Sequence, residues 1–509
     1  MAGEAHRNSH PMLSRTTSAG YLAFAQGIAS VSTILVASVL SRNLVEEDYA
    51  TYRQTLLSYR FVAPVLSMGI PQALLYFLPS DGERKRGVLI ECVSVLLLIG
   101  ALFFLFFATV GNHLLSASFD NPQLVETLRW FSPYALLILP VAALNSALIA
   151  TGRHQSSALF SSLSQIGVAA AVIATVLLTK DVGLAIKVLI LYSAVVCGFA
   201  FFMLFKISKG TESVVSRKRV GKMLSYSVPL GLGGAVAYLN INLDKVVVSA
   251  MKSPAEFSIY VNGAFEVPLV GMITGAASSV ILPEMVANLK AGSKQDALFL
   301  WRRASVKCAI ILFPITGILW ISAPDLMVFL FGKKYESSAD VFRIYILLIP
   351  VRIGFFGIIY QSCGKSGLLL RRSALALSLN LILTIPMTLW LGINGAALST
   401  ILVSWVVMVP YNCYECAKML EIRIRELFKW NELGIIVASA TVVAVLILGF
   451  NLYLKSVMGA AESASFYRLA LTGIAALFLV PGLYLFFGVW KKEDFQRIWE
   501  KVTGSLLKR

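Results

Sequence analysis

A chain of 509 residues with 57% in the hydrophobic set and only 14% charged, at a mean hydropathy of +0.77, cannot cover a water-facing surface; a soluble domain runs nearer about one quarter charged. At roughly 20 apolar residues per crossing of a bilayer about 30 Å thick, it supplies more than a dozen spans joined by short connections, which excludes a separate soluble catalytic domain. The formal charge of +17, from 44 Lys and Arg against 27 Asp and Glu, would signal nucleic acid in a soluble protein; here its placement reports membrane topology, and no nucleic-acid partner is expected.

Hydrophobic runs bounded by charges or Gly/Pro clusters predict an all-α polytopic membrane protein of about fourteen spans. They lie near 17–41, 50–79, 87–110, 124–150, 155–179, 183–207, 222–250, 257–287, 303–323, 338–364, 369–392, 395–418, 431–454 and 465–489. Basic residues then sort alternately. Twenty-nine fall on the side of Arg7, Arg84, Lys85, Arg86 and the Arg217-Lys218-Arg219 run, whereas six (Arg42, Lys180, Lys252, Lys333, Lys334, Lys455) fall on the other. The positive-inside rule therefore predicts both termini in the cytoplasm. Residues 1–16 are polar and carry no cleavable signal, so the first span is expected to remain. Cys413 and Cys416 have CxxC spacing without a second pair or a nearby His, so all six cysteines read as packing residues rather than metal ligands.

Two echoes indicate a repeat. Glu47-Asp48-Tyr49-Ala50-Thr51-Tyr52, entering span 2, returns 208 residues later as Ala255-Glu256-Phe257-Ser258-Ile259-Tyr260, entering span 8. Span 4, from Tyr134 to Pro140 with Gly152-Arg153 at its end, is echoed in span 10 by Tyr345 to Pro350 with Gly364-Lys365. Both echoes are six spans apart, which favours duplication of a six-helix unit. Because six is even, the halves are expected to relate by a pseudo-two-fold along the membrane normal and to enclose a cavity between them, the plan of an alternating-access transporter. The expected organisation is an N-lobe (1–207), a solvated basic linker (208–221), a C-lobe (222–420), an extra helix pair (421–490) and a basic cytoplasmic tail (491–509).

Leu243-Asp244-Lys245 through Tyr260, Leu282-Pro283-Glu284 and Leu330-Phe331-Gly332-Lys333-Lys334-Tyr335 resemble the polysaccharide and O-antigen flippase branch of the multidrug/oligosaccharidyl-lipid/polysaccharide (MOP) exporter superfamily, over nearly the whole chain. The resemblance implies two six-helix lobes, often with two further helices, that carry undecaprenyl-pyrophosphate-linked oligosaccharide across the bacterial inner membrane. Its implied partners are that lipid-linked glycan, membrane lipids and polysaccharide polymerase machinery; it implies no enzyme activity, cofactor or metal.

Ionisable residues deep in spans mark the pathway, since each costs at least about 2.5 kcal/mol unless it faces a cavity or a partner. Arg53 and Arg60, seven apart in span 2, share one helix face. Arg60 and Glu266 lie at similar depth, roughly 15 Å and roughly 14 Å from the outer end at about 1.5 Å per residue. In span 10, Arg343 can pair with Asp340, which leaves Arg352 as the cavity candidate. Under the resemblance, Arg60, Arg352 and Arg53 would bind pyrophosphate, because guanidinium forks match phosphate oxygens and stay charged; an Arg60–Glu266 ion pair locking the lobes is the alternative. Glu266 and Asp244 are candidates for counter-ion or cation coupling. Gln26, Asn240 and Asn242 are candidates for sugar contacts, with interhelical hydrogen bonding the alternative. Pro64, Pro71, Pro268 and Pro350 permit bends. A multidrug or cation antiporter of the same superfamily would need acids lining the cavity, and span 1 has none; a lipid II flippase, whose cargo is also an undecaprenyl-pyrophosphate saccharide, stays open. An integral-membrane enzyme would need a sizeable outer loop with candidate catalytic residues, and the longest, near 111–123 and 324–337, are short and hold His113 as their only histidine.

Overall fold

The computed structural model describes residues 15–80, 84–365, 367–459 and 461–489, and they are helical with no strand among them. Arg7 and the basic tail 491–509 lie outside the described residues. The first half comprises α1 (Arg15–Asn43), α2 (Glu46–Ser67), α3 (Ile70–Ser80), α4 (Lys85–Thr109), α5 (Gly111–Ser118), α6 (Leu124–Phe131), α7 (Tyr134–Ala150), α8 (His154–Thr179) and α9 (Val182–Ile207). The second comprises α10 (Arg217–Met251), α11 (Pro254–Gly263), α12 (Pro268–Lys290), α13 (Lys294–Phe331), α14 (Ser338–Ile346), a 3-10 turn (Pro350–Gly354), α15 (Phe356–Ser362), α16 (Gly367–Leu402), a π-helical segment (Val403–Met408) and α17 (Val409–Leu420). The short α18 (Ile424–Leu427) leads to the terminal pair, α19 (Trp430–Met458) and α20 (Glu462–Phe486).

Among the described residues, eleven helical segments are long and apolar enough to cross a bilayer, or twelve if α6 and α7, bent by 41°, count as one span. Length and apolarity thus fall short of the expected fourteen, and two places account for the difference. The 35-residue α10 is absent from the apolar set, and it carries both a basic first turn and the Asp244-Lys245 pair. The stretch Gly367–Leu420 is one unbroken segment of 54 residues by hydropathy, about 81 Å at about 1.5 Å per residue, but the chain breaks at Gly392, whose φ of 64° only glycine adopts freely.

Four expected spans are interrupted, and they fall in pairs six spans apart. Span 2 breaks at Met68 and Gly69, both at positive φ; span 8 breaks over residues 264–267, before Pro268 at the start of α12. Span 4 bends between α6 and α7, ahead of Tyr134, whereas span 10 breaks after its matching Tyr345, at the 3-10 turn opened by Pro350. Helix starts are specified locally. Ser253 and Glu256 form a reciprocal capping box on α11, with Pro254 in the first turn, and Glu46, Glu47 and Asp48 sit at the positive end of α2.

The longest pairings run α1 along α8 and α10 along α16. The two halves meet where α2 packs on α10 and α11, and where α1 packs on α12 and α13. At the end carrying the α1–α2 turn they are knitted by polar groups. The Tyr49 hydroxyl donates to Asn262 Oδ1 (2.6 Å) and Gln54 Nε2 to Ser249 Oγ (2.9 Å); Asn121 Nδ2 donates to Gln54 Oε1 (2.7 Å) and Thr51 Oγ1 (2.8 Å). Arg42 donates there to the Val328 and Phe329 carbonyls at 3.0 and 2.7 Å. Further along, α3 and α10 touch backbone to backbone at Gly69 and Gly231, where a Cβ on either would clash with the other.

The linker is tethered to α4 while most of residues 208–221 stay exposed. Buried Glu91 on α4 accepts from Ser216 N (2.6 Å) and Arg219 Nε (2.7 Å), and Gly87 N donates to the Glu212 carbonyl (3.1 Å). A second buried ion pair fastens the terminal helices: Arg468 of α20 donates through Nε and Nη2 to Asp325 Oδ1 of α13 at 2.8 and 2.5 Å.

Candidate functional site

A cavity of about 600 Å³ lies between α1 and α2 on one side and α10, α11 and α12 on the other. The polar groups that line it include Gln26, Arg53, Arg60, Asn242, Lys245 and Glu266. The seven-residue spacing of Arg53 and Arg60 brings both onto one face of α2, as their periodicity requires. On α10, Tyr238, Ile241, Asn242 and Lys245 form the facing stripe, the i, i+3, i+4, i+7 pattern of one helix side. Glu266 sits in the break between α11 and α12, so the interruption, not helical phase, aims it.

The cations differ in how they are held. Arg53 Nη1 donates to the Tyr49 hydroxyl (2.7 Å), which itself donates to Asn262, so Arg53 is oriented from the end carrying the α1–α2 turn. Lys245 Nζ lies 3.4 Å from Asn242 Oδ1 and within electrostatic range of Arg53, Arg60 and Glu266. Arg60 is exposed and has no ion-pair or hydrogen-bond partner among the described residues. Glu266 pairs with Arg352, not with Arg60. Both partners stay accessible, their side chains 63% and 47% exposed, and a pair that open to solvent contributes only about 0–1 kcal/mol. Arg352 therefore lies off the main cavity, in an adjoining recess of about 70 Å³ that it shares with Glu266. Arg343 pairs with Asp340 at 3.3 Å.

The remaining candidates lie behind the wall. Asp244 is buried; it accepts from the Tyr260 hydroxyl (2.5 Å) and the Lys245 backbone N–H (2.9 Å), which fixes the helix turn that presents Lys245. Asn240 accepts from Asn380 Nδ2 at 2.8 Å, an interhelical bond between α10 and α16, and does not line the cavity. Gln26 and Asn242 do line it. Lys245 was not among the residues that charge placement singled out, although the α10 stripe carries its signal. Counting only lining groups, the cavity holds three cations against one carboxylate, and that carboxylate is paired with a fourth cation.

A bundle of apolar helices around a cationic chamber, with interrupted spans on both sides of it, defines an integral-membrane transport protein. The chain belongs to the polysaccharide biosynthesis protein family, whose profile matches residues 16–293, more than half of the sequence. It is 20% identical over 195 residues to a probable lipid II flippase MurJ of Rhizobium tropici, covering 37% of this chain and 36% of that protein. It is 22% identical over 230 residues to a probable low-salt glycan biosynthesis flippase, Agl15 of Haloferax volcanii, covering 44% and 47%. The matches thus span between about a third and about half the length of these curated relatives. Among solved structures, the lipid II flippase MurJ in an inward closed conformation superposes with a TM-score of 0.71 at 16% identity, over 92% of this chain and 99% of that one. An inward-facing multidrug resistance MATE family transporter of the MOP superfamily superposes at 0.61 and 16%, over 80% and 99%. At such identities these structures establish a shared fold.

Proposed function

We propose that the chain is a flippase that carries undecaprenyl-pyrophosphate-linked oligosaccharide from the cytoplasmic to the periplasmic leaflet of the bacterial inner membrane by alternating access, supplying polysaccharide polymerase machinery. The moving units are the six-helix lobes 1–207 and 222–420, with 421–490 as an added pair, fourteen spans in all and both termini cytoplasmic. The matched pairings α1 with α8 and α10 with α16, six spans apart, support this division. So do the interruptions, which recur at the same offset.

One observation carries the substrate class: Arg60, without a partner among the described residues, faces a chamber it shares with Arg53 and Lys245. An uncompensated guanidinium in such a place is stabilised when an anion arrives, and a pyrophosphate offers its fork two oxygens at once. A cationic drug would meet repulsion from three like charges, which disfavours the antiporter reading. Glu266 serves as resting counter-ion to Arg352, and substrate phosphate displaces it. The knitted α1–α2 end closes the periplasmic side, so loading occurs from the cytoplasm.

Arg60→Ala is expected to weaken binding of undecaprenyl pyrophosphate by about 10- to 100-fold, the loss of a charge-assisted contact of about 1.5–3 kcal/mol, and to abolish glycan export at unchanged protein abundance. Arg60→Lys keeps the charge but not the fork and should recover export in part. Normal export by Arg60→Ala would refute the assignment. The similarity to MurJ in sequence and fold favours lipid II as a second cargo; rescue of cells depleted of their own lipid II flippase decides between the two.

A further inference from the structure

A second chamber, of about 250 Å³, opens inside the first half between α1, α2, α7, α8 and α9, and shares Thr33, Arg53, Leu56 and Arg60 with the main cavity. Its other lining side chains include Tyr52, Tyr59, Tyr134 and Gln165. None of these four has a hydrogen-bond partner among the described residues, so three phenol groups and one amide that line the chamber keep their hydrogen-bonding capacity for a ligand. The rings are held rigidly: Tyr59 stands edge-on to Tyr134 at 4.9 Å and to Phe103 at 5.8 Å, and Tyr134 stacks on Phe131 at 4.6 Å.

On this basis, and resting on the flippase reading above, we propose that this chamber is a carbohydrate subsite that holds the sugar ring bonded directly to the pyrophosphate. The lining chemistry selects the class. A polyprenyl tail has no use for four unpaired polar groups, each of which is costly to leave unsatisfied beside hydrocarbon. An inorganic cation would need carboxylates, and the chamber offers arginines instead. A pyranose presents apolar C–H faces to aromatic rings and a rim of hydroxyls to phenols and amides, so both halves of the lining are used. Arg53 and Arg60 at the boundary put the diphosphate one bond away from that sugar. The volume equals about eight waters at about 30 Å³ each, room for a single sugar ring and not for a whole repeat unit, so the rest of the glycan would occupy the main cavity. The chamber would then read the first sugar, while the arginines read the carrier.

The test uses the purified full-length protein in detergent with four probes: bare undecaprenyl pyrophosphate, and the same carrier bearing N-acetylglucosamine, N-acetylgalactosamine or galactose. Wild type should bind at least one glycosylated probe about tenfold more tightly than the bare carrier. Tyr59→Phe, which keeps the ring, and Gln165→Leu should each reduce that preference to about threefold or less, since each removes one net hydrogen bond. Affinity for the bare carrier and the melting temperature should be unchanged. Equal affinity of wild type for all four probes overturns the subsite while leaving the flippase reading intact, as does a variant that keeps the preference or weakens bare and glycosylated carriers alike. Failure of every probe to bind wild type overturns the flippase reading itself.

Discussion

The Asp325–Arg468 pair lends itself to a quantitative test because both side chains are almost wholly enclosed, at 3% and 5% exposure. The guanidinium makes four hydrogen bonds: it donates twice to Asp325 Oδ1, and also to the Gly459 carbonyl (2.5 Å) and Ser465 Oγ (3.0 Å); Asn451 Nδ2 reaches Asp325 Oδ2 at 3.4 Å. Asp325→Leu strands a buried cation and Arg468→Met strands a buried anion. Each should destabilise by about 3–5 kcal/mol, the cost of breaking a buried pair from one side. The double variant buries no charge and should cost less than either single one, so the thermodynamic cycle should give a coupling of at least about 3 kcal/mol. Reversible unfolding in mixed micelles at increasing SDS, followed by tryptophan fluorescence, supplies the four free energies. Additive losses, or single variants within about 0.5 kcal/mol of wild type, would refute the view that this pair fastens α20 to α13.

Glu266→Gln should release Arg352, raise affinity for undecaprenyl pyrophosphate by up to about tenfold, and preserve acceleration of flipping by an imposed potassium-diffusion potential, which acts on the anionic headgroup with about 2.3 kcal/mol per charge per 100 mV. Flipping that ignores potential and follows a proton or sodium gradient in proteoliposomes would instead make Glu266 a coupling site. Gly231→Val should collide with the Met68–Gly69 backbone and lower both export and yield; a fully active variant would show that α3 and α10 need not touch. Glu91→Ala should free residues 208–219, so trypsin should cut at Arg217 and Lys218 several-fold faster in the purified protein, and an unchanged rate would mean that the linker is held by other contacts.

The class of fold was legible because apolar runs and charge alternation are direct consequences of bilayer physics. Where the spans bend was only partly legible: Pro268 and Pro350 open the pieces that follow two breaks, but Pro64 lies inside continuous α2. Phase arguments succeeded on unbroken helix and failed elsewhere. Arg53 and Arg60 share a face as expected, whereas the choice of Arg352 as a cavity residue treated as one span a segment that is α14, a 3-10 turn and α15. Asn240 and Asn242, two apart on α10, point about 200° apart at about 100° per residue, so only one can face the cavity, and that is Asn242. The partner choice of Glu266 and the Asp325–Arg468 pair, 143 residues apart, could not be read from spacing, because long-range pairing depends on which helices become neighbours.

The seal at the α1–α2 end has a thermodynamic character of its own. Tyr49–Asn262 and Gln54–Ser249 join the halves through phenol, amide and hydroxyl groups, set beside the apolar contacts of Ala50 and Leu57 with Val248, Phe257 and Val261. Each such bond can be exchanged for water at a net of about 1 kcal/mol, so the polar part of the closure adds little to the cost of opening. An apolar closure would loosen on cooling as the hydrophobic effect weakens. The polar bonds lack that cold weakness, and they re-form only when the same donors and acceptors return to register, so each closure restores one defined geometry.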